Sequence, residues 1–378
     1  MSDGAGSGVA SRGPGPALYA VFAITTLAIT VVGLLLVLEI GLRIIDWPSP
    51  GLYQDGVGPL PLSLADGRGS AWRAYPGDAR IRHWDYDVDV HLNRHGFIDH
   101  DPAPRAPGER RIGLFGDSFA AGMGVTPDER FATRWWRDLQ RADERVSVYN
   151  FGSAWSGTGQ SAAFLAANGA HYELDELVLA VFGGNELGDN QRWESSRAQT
   201  PEERAAMEQR MRSRGWRDEI RNRSRAAGYL YVALARGLAR REVRVSTRED
   251  LPDLWPDTER GLDAFLEAAK GRPLTVWYLP ATIEWSDDAW EQVSSGHDWT
   301  DADRHVVRDA IRLWADSRGV PFLDVTPALA GRSVAELRFA NDGHWNAAGH
   351  ALVAEYLSQH ATIPSESGRT GVAPTSTD

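Results

Sequence analysis

Five short apolar runs recur along the chain: Ile112–Phe115, Val146–Tyr149, Leu177–Phe182, Leu274–Leu279 and Val320–Leu323. Each is β-branched or aromatic and bounded by glycine, proline or polar residues, as buried strands are. Helical patterns fall between and after them, over Asp128–Leu139, Gln160–Asn168, Gly261–Ala269, Asp301–Ser317 and Asn346–His360. Parallel strands cannot be joined by a tight hairpin and need a crossover, most often a helix. The alternation therefore predicts an α/β fold with a mostly parallel sheet covered on both faces.

The chain ends follow other rules. Leu18–Leu38, "LYAVFAITTLAITVVGLLLVL", carries no charge and is close to the ~20 residues that a bilayer core requires. It runs into "EIGLRIIDWPSP", without the small-residue cleavage pattern that ends a secretory leader. The expectation is an uncleaved membrane anchor over 17–45, with a buried core helix as the alternative. Arg12 precedes the span and Arg43 follows it, so the positive-charge bias that orients a span is slight. Glu39 and Arg43 are one helical turn apart and can pair at its end. Residues 1–16 and 363–378 read as disordered tails. Residues 46–92, rich in Pro and Gly over their first part, read as a stalk or linker. Residues 190–250 are arginine-rich, with "GYLYVALARGLA" as their apolar stretch. They read as a helical insertion beside the sheet, whose charge is either a solvated face or a surface for a polyanion.

Formal net charge is −12, which argues against nucleic acid as a partner. Cysteine is absent, which removes disulfides, a thiolate nucleophile and sulfur-ligated metal. Lysine occurs once, at Lys270 in a helix-end "AAKGRP" turn, a poor place for a serine–lysine dyad.

Ligands of open α/β sheets bind beyond the carboxyl ends of the strands, and here those ends carry reactive groups. The first strand ends in "RIGLFGDSF", presenting Gly116, Asp117 and Ser118; the second in "NFGSAWSGTGQ" (150–160); the third in "GGNELGDN" (183–190). "NDGHWNAAGH" (341–350) precedes the last helix. A serine hydroxyl needs a base to take its proton, and His344 is the candidate. An imidazole in that role needs its other nitrogen held, which Asp342 can do. The oxyanion of an acyl transfer needs donors, which the Asn185 side chain and backbone amides near Ser118 and the second strand end can supply. Each motif alone has a plainer reading: a polar turn at Ser118, a turn residue at Asn185, a helix cap at Asp342, packing at His350. Their common placement at strand ends favours a site of acyl transfer.

At these motifs the chain resembles the SGNH hydrolases, the GDSL-like esterases and lipases, over residues 93–360. It is most similar to a bacterial branch with an N-terminal span and an N-x-x-G-F segment, here "NRHGF" at 93–97. The resemblance implies a flavodoxin-like three-layer α/β/α sandwich over 93–362, with chemistry at the carboxyl edge of the sheet. It implies Ser118 as nucleophile, Asp342 and His344 as acid and base, and an oxyanion hole from Ser118, Asn185 and a second-block amide. Three positions depart from the family pattern. The second-block glycine position holds Trp155, with Gly157 the nearby alternative donor. Glu186 follows Asn185 in place of aspartate. The acid–histidine spacing is D-x-H, with Asn341 at the usual acid position.

The resemblance implies a membrane-anchored serine esterase acting on O-acyl esters, O-acetyl foremost, of an envelope glycan or a small molecule, with its domain outside the cytoplasm. D-x-H also occurs in the related polysaccharide O-acetyltransferases, so transfer through the same acyl-serine is an alternative, and a non-catalytic anchored binding protein is another. No metal or organic cofactor is required. Trp135, Trp136, Trp155, Trp285 and Trp345 are either core residues or sugar-stacking faces, Trp155 and Trp345 being the better placed for stacking.

Overall fold

The structure, a computed structural model, describes residues 15–45, 76–198 apart from 84, 144 and 155, 224–230 and 246–361. It also describes short pieces at 53–55, 63–64, 72–73, 200 and 202–203. The expected N-terminal tail up to residue 14, the expected C-terminal tail, Trp155, and most of the 190–250 insertion lie outside the described residues. The chain divides into two units, Met1–Pro50 with Gly215–Arg240, and Gly51–Arg214 with Arg241–Asp378.

In the first unit, α1 (Pro16–Ile44) is one helix whose window Tyr19–Ile44 has a mean hydropathy of 2.7, long and apolar enough to cross a membrane. A signal sequence has the same properties. Glu39 pairs with Arg43 as their spacing predicts, Arg43 Nε donating at 2.5 Å. The Glu39 carboxylate also accepts from Ser224 Oγ (3.0 Å) and the Ala226 amide (2.9 Å), capping a helical stretch over 225–230. This part of the expected insertion thus packs on α1.

The second unit opens with short strands β1 (Tyr53–Asp55), β2 (Ser63–Leu64) and β3 (Trp72–Arg73), then β4 (Gly77–Arg82) and β5 (Asp87–Leu92). β4 and β5 form an antiparallel hairpin with β1 on its edge. Residues 77–92, expected as linker, are therefore a folded sheet. The signal was present in "DVDVHL", whose Val88, Val90 and Leu92 are buried while Asp87, Asp89 and His91 face solvent.

The main sheet has five parallel strands: β6 (Arg110–Gly116), β7 (Val146–Gly152), β8 (Glu176–Phe182), β9 (Leu274–Leu279) and β10 (Phe322–Asp324). Their order is β10-β9-β8-β6-β7. Counted from β6 this is 2-1-3-4-5, the flavodoxin-like winding, in which the crossovers change side between β6 and β8. Strand residues alternate between two cores. Phe115, Leu177, Leu179, Val276 and Tyr278 pack with α4 (Thr158–Tyr172) and α6 (Leu251–Ala269), and α5 (Glu186–Arg197) adds Leu187 to the same core. Ile112, Leu114, Val178, Ala180 and Trp277 pack on the other face with α3 (Phe131–Ala142) and the last helix. Four short helices follow β9 and β10: α7 (Thr282–Trp285), α8 (Asp287–Ser294), α11 (Thr326–Leu329) and α12 (Val334–Leu337). The helix expected over Asp301–Ser317 breaks at His305 into α9 (Asp301–Arg304) and α10 (Val306–Ser317). α13 (Ala347–His360) closes the unit, capped by the Asn346 side chain.

Candidate active site

Ser118 begins a four-residue helix, α2 (Ser118–Ala121), where β6 ends. Asp117 caps it, Oδ1 accepting from the Phe119 amide at 2.9 Å. The turn rests directly on β7: a Cβ on Gly152 would come within 2.2 Å of the Ala121 nitrogen, so that position has to be glycine. Ser118 is 9% exposed, with its hydroxyl at the β6–β8 switch point.

His344 lies in the loop before α13. Its Nε2 is 2.7 Å from Ser118 Oγ, and its Nδ1 contacts Asp342 Oδ1, which also accepts the His344 amide at 3.2 Å. The short D-x-H spacing works because Gly343 between them has φ +93°, a conformation that favours glycine. Arg338 Nε donates to the Gly343 carbonyl at 2.5 Å, and the Phe339 amide donates to the His344 carbonyl at 3.0 Å, which fixes the loop. Burial works to raise the Asp342 pKa. The hydrogen bond and charge of His344, with the Tyr86 hydroxyl, outweigh it and hold that pKa at about 2. The acid is ionised at any pH where an imidazole can act as a base.

Asn185 precedes α5 at the end of β8. Its Nδ2 donates to Asp117 Oδ2 at 3.1 Å, which brings its amide to the residue beside Ser118 and leaves the second N–H uncommitted by that bond. Asp117 thus both caps α2 and holds Asn185. Burial raises its pKa, opposed by the Phe119 amide, His344 and Asn185. The Ser118 amide, at the first position of α2, has no carbonyl within its own helix to bond. The Gly157 amide, a candidate donor by sequence, instead donates to Gln160 Oε1 at 2.9 Å: Gly157 is the N-cap of α4, and the Gln160 side chain at the third helical position reaches back to it. It is engaged in helix capping and is not a free donor. Glu186 accepts from the Thr158 amide (2.9 Å) and from Asn190 Nδ2, tying the start of α4 to α5. The longer acid thus has a structural task.

The tryptophans divide the same way. Trp135, Trp285 and Trp345 are 1%, 4% and 1% exposed, and Trp136 is partly buried with its Nε1 on the Val146 carbonyl at 2.8 Å. Trp345 packs edge-on to Phe119 and Phe131, so its face is not open to a sugar. Replacing Trp345 by alanine is expected to cost about 3–5 kcal/mol in a urea unfolding experiment, the usual cost of emptying a buried aromatic site.

His350 is 1% exposed, stacks on Phe131 and accepts from the Phe131 amide at 3.3 Å. Burial, followed by the positive charge of His344, Arg130 and Arg134, pushes its pKa down to about 3. Unfolded, it titrates near about 6.5. Between these values the unfolded chain takes a proton that the folded chain refuses. Its contribution to stability is complete above about pH 6.5 and falls by about 1.4 kcal/mol per unit below it. His350→Asn keeps an acceptor and removes the titration, so its melting temperature should fall less steeply on acidification than that of the parent.

The structure brings Ser118, His344 and Asp342 into one hydrogen-bonded line and sets Asn185 beside Asp117. Sequence reasoning missed Tyr86 and Asp85, both of which touch the acid–histidine loop from the β4–β5 turn. Among the described residues, no group of three or more His, Asp or Glu side chains could hold a metal.

The profile of the GDSL-like Lipase/Acylhydrolase family matches residues 114–352. No curated protein matches the chain. Solved structures that resemble it include a member of the lipolytic G-D-S-L family from Veillonella parvula, at 14% identity over 67% of this chain and 98% of that one, with a TM-score of 0.37. The M. smegmatis aryl esterase matches at 13% identity over 66% and 97%, TM-score 0.36. A catalytic mutant of an acetylxylan esterase from Geobacillus stearothermophilus matches at 14% over 68% and 97%, TM-score 0.38. These likenesses are distant, and the assignment stands on the family profile, which spans well over half of the chain. With a parallel sheet wound in the flavodoxin-like order and a G-D-S turn at the end of its first strand, the chain belongs to the GDSL-like lipase and acylhydrolase family and is an ester hydrolase.

Proposed function

We propose that the chain is a serine esterase that removes small acyl groups, acetyl foremost, from the hydroxyls of an envelope glycan. In this reading α1 holds it at the membrane, with the hydrolase domain outside the cytoplasm. The observation that carries the chemistry is the 2.7 Å contact of Ser118 Oγ with His344 Nε2, whose Nδ1 rests on Asp342.

Ser118 Oγ attacks the ester carbonyl carbon as its proton passes to His344 Nε2, and the carbonyl electron pair moves onto oxygen. The Ser118 amide and the Asn185 Nδ2–H group stabilise that oxyanion. Collapse breaks the bond to the alcohol oxygen, which leaves with the proton from Nε2, and the acyl group stays on Ser118. Water repeats the sequence: its oxygen adds to the acyl carbon, its proton goes to Nε2, and Ser118 is released with that proton as the acid departs. Throughout, Asp342 stays ionised, holds the Nδ1–H tautomer and offsets the imidazolium charge.

There is room for a substrate next to the loops that carry Asn185 and His344. A cavity of about 270 Å³ shares Gly183 and Gly184 with the Asn185 loop and Arg338 with the His344 loop, and is lined further by Thr282, Glu284 and Arg304. Phe182, Ile283, Val306 and Val307 complete its wall, so it is a mixed pocket of a size that suits a small ester group. The test is a panel of para-nitrophenyl esters of increasing acyl length, with acetylated oligosaccharides, using the full chain in detergent. Acetate release that is fastest for acetyl and indifferent to added acceptor sugar is expected. Para-nitrophenol release only with an acceptor, with the acetyl group recovered on the sugar and not as acetate, would assign the transferase activity instead, and a preference for long acyl chains would overturn the glycan reading.

A further inference from the structure

Two residues of the β4–β5 turn reach the acid–histidine loop, 256 positions away in the chain. Tyr86 Oη donates to Asp342 Oδ2 at 2.5 Å. Asp85 Oδ2 accepts from the amides of Asn341 (2.7 Å) and Asp342 (3.0 Å), and its Oδ1 from Asn341 Nδ2 (2.8 Å).

The chemistry of the loop explains why such contacts matter. His344 uses only Oδ1 of the acid, through both its ring and its amide. The Asp342 side chain is 5% exposed, so its other oxygen would be a buried anionic acceptor without a donor, a costly state. Tyr86 supplies that donor. Its hydroxyl stays protonated because burial, then the hydrogen bond and charge of Asp342, raise its pKa. The ring is held in turn: it packs 4.9 Å from Phe339 and stacks 5.0 Å from His83, and a Cβ on Gly124 would come within 2.8 Å of it. Ile81, Val88 and Val90 of the hairpin share a small core with Met123, just after the Ser118 helix. The hairpin thus touches both the serine turn and the acid–histidine loop.

We propose that the hairpin 77–92 is a positioning element of the triad, in which Tyr86 orients the Asp342 carboxylate and Asp85 holds the backbone that carries it. The proposal rests on the esterase reading of the site. It also gives the D-x-H spacing a consequence: an acid two residues from its base takes its second support from a distant part of the chain.

Tyr86→Phe keeps the ring and removes the donor. The carboxylate charge is then no longer shared with the hydroxyl, so it favours the imidazolium more strongly and the histidine becomes more basic. The other charged or titratable groups facing the pair are Asp85 and Arg338 around Asp342, and Asp117 and His350 around His344; all are kept in the variant. With the full chain and a para-nitrophenyl acetate assay, kcat/KM should fall about tenfold through kcat, the size of one lost hydrogen bond to a charged group. The acid limb of the pH profile should move to higher pH, and the low-field proton resonance of the His344–Asp342 pair should shift. Asp85→Ala should also lower kcat, and Asp85→Asn should recover part of the loss. An unmoved acid limb and resonance in Tyr86→Phe would overturn the proposal and leave Tyr86 a packing residue. Failure of the esterase reading looks different: the parent chain would be inactive, while the resonance would still report whether Tyr86 acts on Asp342.

Discussion

Ser118→Ala is expected to lower kcat/KM for an activated acetyl ester by roughly 10⁵–10⁶-fold, the scale of losing a serine nucleophile elsewhere, and to abolish labelling by a fluorophosphonate. The variant deletes one oxygen at the end of β6 and leaves the Asp117 cap intact, so unfolding by urea should change little. His344→Ala should cause a loss of the same order, because the hydroxyl is then without its base, and the double variant should be no worse than either alone. Such non-additivity is expected when two groups act in a single step. Strong labelling of Ser118→Ala would sink the assignment, and so would activity within a few-fold of the parent in His344→Ala.

The second large effect concerns the oxyanion. Asn185→Ala is expected to reduce kcat by about 10²–10³-fold with KM nearly unchanged, since an oxyanion donor acts on charge that exists only in the transition state. Asn185→Asp is of the same size but places a carboxylate against Asp117, so it should be at least as impaired. Asp117 makes the prediction more specific. It receives Asn185 Nδ2 at 3.1 Å and the Phe119 amide at 2.9 Å, and so links the donor to the nucleophile's own turn. Equal losses in kcat and in substrate binding for Asn185→Ala would assign the residue to ground-state binding instead.

Much of this candidate site is legible in the sequence because each part is local. A strand that stops at Gly116 and turns into a helix exposes whatever hydroxyl comes next, and "GDSF" states that sequence of events in four letters. "DGHW" before the last helix places an acid and a base in one loop, and Gly343 between them makes the short spacing geometrically feasible. The strands are legible for a similar reason: a run buried on both faces is apolar almost throughout, whatever it packs against. Boundaries are less so. α6 begins at Leu251, ten residues before the expected Gly261, because prolines and charges at its start hide the pattern, and α9 and α10 are separated at His305.

Other features depend on neighbours that no local pattern names. By sequence the Gly157 amide is an available donor, but Gln160 occupies it. By sequence Trp345 is either a core residue or a stacking face, and Phe119 and Phe131 lie against it. The hairpin shows its period of two in "DVDVHL", yet the proline- and glycine-rich stretch before it conceals its membership in the folded unit.

By itself, the sequence determined the class of the fold, the apolar N-terminal helix, and the grouping of Ser118, Asn185, Asp342 and His344 as one candidate set, because periodicity and turn chemistry act over a few residues. The tertiary structure alone decided that Gln160 engages the Gly157 amide, which aromatic faces are covered, and that Tyr86 meets Asp342 across 256 positions. Those outcomes are set by how finished elements pack, and packing pairs residues by distance in space without regard to their distance along the chain.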